Sequence, residues 1–177
     1  MLCECTIILV SLLFGSPAKH QYQPVLLNVK FTDSKYGYHF RHPDSWKAKL
    51  YRSGIVVSEV NAPNGEAGVQ FRVARLGGSP KTYSENYVSQ VEKDLQATLQ
   101  TSQRGMMQGT EYREYTFHSK RGPNGTFLYQ LLLFFPDVKR VIIVQAGCDW
   151  NQRESFQEIL NEIAKSLEVF DQPALTN

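Results

Sequence analysis

The stretch that decides the fold is residues 126–136, TFLYQLLLFFP. In an extended chain successive side chains alternate between the two faces of a sheet. Phe127, Tyr129, Leu131, Leu133 and Phe135 then fill one face, and Leu128, Leu132 and Phe134 fill the other. A strand that is apolar on both sides belongs in the middle of a sheet covered above and below. Its neighbours are TEYREYTFHS, residues 110–119, and KRVIIVQAGC, residues 139–148, connected to it through KRGPNG and DV. Connections this short predict an antiparallel meander of strands over 111–118, 126–136 and 139–148.

Working toward the amino terminus, LNVKFTDSKYGYHFRHP, residues 27–43, alternates apolar and polar positions around turn chemistry at Asp33-Ser34, which predicts two short extended pieces. AKLYR, GIVVSEV and GVQFRVARL predict three more strands, the last two joined through the Pro-Asn-Gly turn of APNGEAG, residues 62–68. Val69, Phe71 and Val73 would face the core. The period changes in TYSENYVSQVEKDLQATLQ, residues 82–100, where Tyr83, Tyr87, Val88, Val91, Leu95 and Leu99 form one helical stripe and Thr82 with Glu85 reads as a capping box. A second helix is predicted from about Gln152 to Leu167, led by Asn151 and Glu154, burying Phe156, Ile159, Leu160, Ile163 and Leu167. The fold class expected is α+β: a single domain in which one antiparallel sheet is flanked by helices on both faces.

The 177 residues, 42% hydrophobic and 20% charged, suit one core. The 19 basic and 17 acidic residues are mixed along the chain and leave a formal charge of +2, so no basic stripe marks a nucleic-acid partner. Residues 1–18 run apolar from Thr6 to Phe14 and then reach Ser16-Pro17-Ala18, the pattern of a cleaved signal peptide, although Glu4 is the only charged side chain before the apolar run. The run is shorter than the roughly 20 residues a spanning helix needs. The expected organisation is a leader over 1–18, a connector over 19–27, a domain over 28–170 and a tail over 171–177, in a secreted or periplasmic protein without a transmembrane segment in the mature chain. Cleavage would remove Cys3 and Cys5 and leave Cys148 as a lone thiol.

YGYHFRHPDSW, residues 36–46, concentrates aromatic side chains and two histidines. In a strand, His42 shares a face with Tyr36, Tyr38 and Phe40, while His39 lies on the opposite face with Gly37 and Arg41, so one metal ion cannot collect both. The predicted meander gives a sharper constellation by bringing His118, Cys148 and Asp149 to one end of the sheet, beside Trp150 and the RGPNG turn with Gly122 and Asn124. A thiol, an imidazole and a carboxylate together are the makings of a nucleophile and base, or of a partial metal site. No spacing motif accompanies them, and the reading preferred is a packed strand end with no catalytic residue, no metal and no cofactor. The same residues, His118, Gly122, Asn124, Cys148, Asp149 and Trp150, are the candidate binding surface, together with the YRSG turn. Lys120-Arg121 and Lys139-Arg140 would fall at opposite ends of the sheet, and Asn124-Gly125-Thr126 matches a glycosylation sequon that matters only in a eukaryotic secretory pathway. The chain contains no Gly-rich phosphate loop, HExxH, paired CxxC or GxSxG.

Two segments carry a resemblance. Tyr36, Gly37, Tyr38, Pro43 and Trp46 resemble the entry strand of the PsbP/DcrB-like superfamily, and Ala146, Gly147, Trp150, Ser166 and Leu167 resemble its closing strand and helix, so the likeness spans residues 28–170. It implies an α/β/α sandwich. The superfamily includes an extrinsic photosystem II subunit, bacterial periplasmic lipoproteins and eukaryotic Ran-binding proteins, none of them an enzyme. The resemblance therefore implies non-catalytic association with a protein complex at a membrane or envelope surface. It also implies two variants of that role: a photosystem II accessory or assembly factor in a phototroph, or a cytosolic Ran-binding protein. A small thiol- or metal-dependent enzyme using His118, Cys148 and Asp149 is the alternative from another class. The chain lacks the cysteine that would anchor a lipoprotein, and no residues match a metal-binding or Ran-binding set.

Overall fold

A computed structural model describes residues 26–51, 56–122 and 125–170. The proposed leader, most of the connector, the tail, Asn124 and most of the YRSG turn lie outside the described residues.

The long strand of the opening stretch is β8 (Gly125–Phe135), paired antiparallel on one side with β7 (Thr110–Gly122) and on the other with β9 (Arg140–Asp149). The predicted meander is therefore present. It sits within a seven-stranded antiparallel sheet, completed by β3 (Lys47–Leu50), β4 (Val56–Asn61) and β5 (Ala67–Arg75) beyond β9 and by β6 (Ala97–Met107) beyond β7. Two helices, α1 (Pro80–Asp94) and α2 (Arg153–Lys165), cover opposite faces.

The two-sided reading of β8 holds side chain by side chain. Leu128, Leu132 and Phe134 pack with Ile142, Val144, Phe71, Leu160 and Ile163 on the α2 face. Tyr129, Leu131, Leu133 and Phe135 pack with Phe117, Val141, Ile143 and Val91 on the α1 face. Burial of each such side chain contributes about 1.5–3 kcal/mol, so the two layers drive the assembly. Gln130 is the polar exception in this strand, and its buried amide donates to Asn161 Oδ1 on α2 at 2.9 Å.

One expected sheet is two. β1 (Val29–Asp33), β2 (Tyr38–His42) and β10 (Glu168–Val169) form a separate three-stranded antiparallel sheet. Phe40 of β2 stacks on Phe71 of β5 with ring centroids 4.0 Å apart, and both are fully buried. A strand whose aromatics lie flat on the face of the large sheet cannot also extend that sheet edge to edge. The small sheet instead shares the coverage of that face with α2.

The first helix is shorter than its stripe predicts. It starts at Pro80 behind Ser79, whose hydroxyl accepts from the Thr82 N–H at 3.1 Å, so the cap is Ser79 rather than the Thr82–Glu85 pair. It stops at Asp94, and Gln96 adopts φ 46° before the chain enters β6. Leu95 and Leu99 are four apart, a spacing that suits a helical turn and also two pleats of a strand. Pairing of Ala97–Met107 with β7 decides for the strand. The β6–β7 hairpin turns at Gln108-Gly109, both at positive φ, the geometry a two-residue hairpin loop requires. The second helix is preceded by a 3-10 turn, Trp150–Gln152, so its regular part begins at Arg153 with no side-chain cap from Asn151.

Candidate functional site

His118 of β7 and Cys148 of β9 both lie opposite Leu128 of β8, so the two side chains share the α2 face at one end of the sheet. The convergence expected of them stops there. Leu128, only 1% exposed, stands between them, and two strand spacings put them roughly 10 Å apart, beyond nucleophile–base reach. Burial pushes the Cys148 thiol up to about 12, with the neighbouring Asp149 carboxylate adding to the rise and Arg153 opposing it. A fully buried thiol held protonated is not a nucleophile. Asp149 has the opposite strand parity from Cys148 and pairs in register with Phe127. Gly122 pairs with Gly125 at the hairpin end.

Trp150 makes the contact that organises this end. Its ring stacks on His118 with centroids 3.8 Å apart and planes 23° from parallel. The Arg153 guanidinium lies over the same indole at 4.8 Å and donates to the Trp150 carbonyl at 3.0 Å. Arg153 was not among the sequence candidates, although its spacing of three from Trp150 across a helix start is visible in DWNQR. From this ledge a shallow, open depression of about 290 Å³ runs along one flank of α2, lined by Arg153, Glu154, Gln157, Glu158 and Asn161. A stacked aromatic, a guanidinium and a row of carboxylates and amides are the chemistry of a polar docking surface.

The aromatic stretch around the two histidines is structural. His42 donates from Nδ1 to the Pro43 carbonyl at 2.7 Å, and His39 Nε2 meets Glu168 Oε2 at 2.8 Å across the β2–β10 pair. Tyr38 and Phe40 are fully buried. Among the described residues no group of three His, Cys, Asp or Glu side chains is placed to hold a metal ion, and no helix is long and apolar enough to cross a membrane. Lys120-Arg121 and Lys139-Arg140 close opposite ends of the sheet, at the β7–β8 and β8–β9 turns. Arg140 is engaged with Asp137 at 2.8 Å and with the Tyr36 carbonyl at 2.8 Å.

No protein-family model matches the chain, and no curated protein matches it by sequence. Solved structures do. Cyanobacterial PsbP of Synechocystis superposes with a TM-score of 0.63 at 14% identity, over 80% of this chain and 92% of that one. The Ran-binding protein Mog1p of Saccharomyces cerevisiae gives 0.57 at 8% identity, over 81% and 95%. LpqN of Mycobacterium tuberculosis, involved in cell envelope biogenesis, gives 0.58 at 10% identity, over 76% and 83%.

Proposed function

From the PsbP-like fold that this chain adopts, we propose that it is a non-catalytic binding or accessory protein, associating with a protein complex at a membrane or envelope surface. The observation that carries this reading is the ledge of His118, Trp150 and Arg153 continuing into the depression along α2, in place of a working thiol–imidazole pair. The fold neighbour named for Ran binding favours a binding role, and the one named for envelope biogenesis favours an envelope setting. The leader-like segment over residues 1–18 favours an extracytoplasmic location.

A photo-crosslinking residue placed at Gln157, with a control at Lys81 on the opposite face, tests the surface in native cells. The expected result is a defined adduct from the membrane or envelope fraction at position 157 alone, abolished by Trp150→Ala. Equal adducts at both positions, or none at 157, would overturn the assignment. Intact-mass analysis of the same fractions tests location: a chain beginning at Lys19 outside the cytoplasmic membrane supports it, and a cytosolic chain retaining Met1 transfers the surface to an intracellular partner.

A further inference from the structure

At the end of the large sheet away from Trp150, the ladder sets arginines side by side. Arg75 of β5 lies directly opposite Arg140 of β9, and Arg104 of β6 lies directly opposite Arg113 of β7. Like charges facing each other across a ladder repel. Each pair is given one carboxylate. Asp137 Oδ2 accepts from Arg140 Nε at 2.8 Å, and Glu111 Oε1 accepts from Arg113 Nη2 at 3.2 Å. Arg75 and Arg104, both exposed, and the exposed Lys139 next to Arg140 form no ion pair among the described residues.

Two apolar side chains lie among these cations. Val138, 84% exposed, sits in the turn between β8 and β9, and Met106, 67% exposed, comes just before the Gln108-Gly109 turn of β6 and β7. The ladder brings both turns to the same end: Met106 pairs with Glu111 and Glu111 with Phe135, two strand spacings or roughly 10 Å across. Arg104 and Met106, two apart on β6, share one face. Arg75 and Arg104 stand four strand spacings apart, roughly 19 Å, too far for one small anion to bridge. Apolar turn residues among cations match the boundary of an anionic bilayer, where lipid phosphates meet the cations and apolar side chains enter the edge of the hydrocarbon. An acidic protein would also satisfy the cations, but protein interfaces draw their apolar contact from one fitted, desolvated patch, whereas Val138 and Met106 stand apart at two turns.

We infer that this end of the sheet docks on an anionic lipid bilayer, with Val138 and Met106 entering the headgroup boundary and Arg75, Arg104 and Lys139 taking lipid phosphates. The bilayer supplies the anions that the two arginine pairs lack. This surface lies at the opposite end of the sheet from Trp150 and does not rest on the one proposed above, so vesicle binding and crosslinking at Gln157 can fail separately.

The full chain is titrated with vesicles of phosphatidylcholine alone and of phosphatidylcholine mixed with phosphatidylglycerol, and the readout is the ratio of the two affinities. Any contribution of the apolar run Thr6 to Phe14 enters both affinities and cancels in the ratio. The ratio should favour the anionic vesicles and fall about fivefold in each of Arg75→Gln, Arg104→Gln and Lys139→Gln. Val138→Ser combined with Met106→Ser should weaken binding to the anionic vesicles about tenfold. Equal affinity for both vesicles, or a ratio unchanged in the three cation variants, overturns the docking surface. So does binding to soluble polyglutamate that matches the anionic vesicles and is untouched by the serine substitutions, which assigns an acidic polypeptide instead. Val138→Trp in the otherwise unaltered chain checks insertion directly. Lipid brominated in its acyl chains should quench this variant beyond the quenching of the native tryptophans, and equal quenching in both chains overturns the insertion.

Discussion

The His118 imidazole and the Trp150 indole lie face to face at 3.8 Å, joining the end of β7 to the turn that launches α2. The contact ties a strand to the helix that covers it, and it occupies the imidazole that a thiol nucleophile would have needed.

A double-mutant cycle measures that tie. His118→Ala and Trp150→Ala should each destabilise the chain, with a coupling energy of about 0.5–1.5 kcal/mol in urea unfolding, the range for stacked aromatic pairs. Strict additivity would mean that the rings are neighbours without interaction.

Cys148 gives the alkaline limb of stability. Its thiol is held up from 9.0 to about 12, chiefly by burial, so the folded chain binds this proton more tightly than the unfolded chain does. The stabilisation is complete below pH 9 and is lost as pH rises toward 12, at about 1.4 kcal/mol per pH unit for one group. Urea midpoints should therefore fall from pH 9 to 10, and the fall should be smaller in Cys148→Ala, where the phenols of Tyr38, Tyr83, Tyr87 and Tyr129, also held up by burial, still contribute; an equal fall in both chains would contradict this role of Cys148. The same burial predicts that a thiol reagent at pH 8 labels Cys148 only after denaturation; rapid labelling of the native chain would contradict it.

Gly147 sits where no side chain fits. A Cβ there would lie 2.7 Å from the Leu128 carbonyl and against the Phe127 ring. Since one of these neighbours is backbone of the central strand, Gly147→Ala should cost about 1–3 kcal/mol in denaturant unfolding. A change below a few tenths would show that β8 can yield.

At the start of α1, Ser79→Ala should cost about 1 kcal/mol, because Ser79 supplies the oxygen for the Thr82 N–H. Glu85→Ala should cost much less. Its ion pair is an exposed contact with Lys81 at 3.9 Å, and such pairs contribute little. Equal losses from the two substitutions would restore Thr82–Glu85 as the cap.

The sequence by itself determined what depends on local pattern. Alternating apolar side chains in TFLYQLLLFFP required a central strand with two covered faces, and short connections on either side required the meander, so β7, β8 and β9 were legible together with the helices above and below. The opposite orientation of His39 and His42 followed from the pleat alone. Tertiary structure decided whatever depended on which surface a segment meets. Ala97–Leu99 became a strand because β7 offers a ladder, a competition that a four-residue spacing cannot resolve. Tyr38 and Phe40 went to a second sheet because their rings lie flat on β5. At the candidate site, the pattern placed His118 and Cys148 on the same sheet end, but it could not say that Leu128 would fill the gap or that Trp150 would turn back over the imidazole. Nor could it show that, among the described residues, Arg75 and Arg104 are left without a counterion. Alternation along a chain assigns each side chain to a face; distances between faces and partners are set only when the layers close on one another.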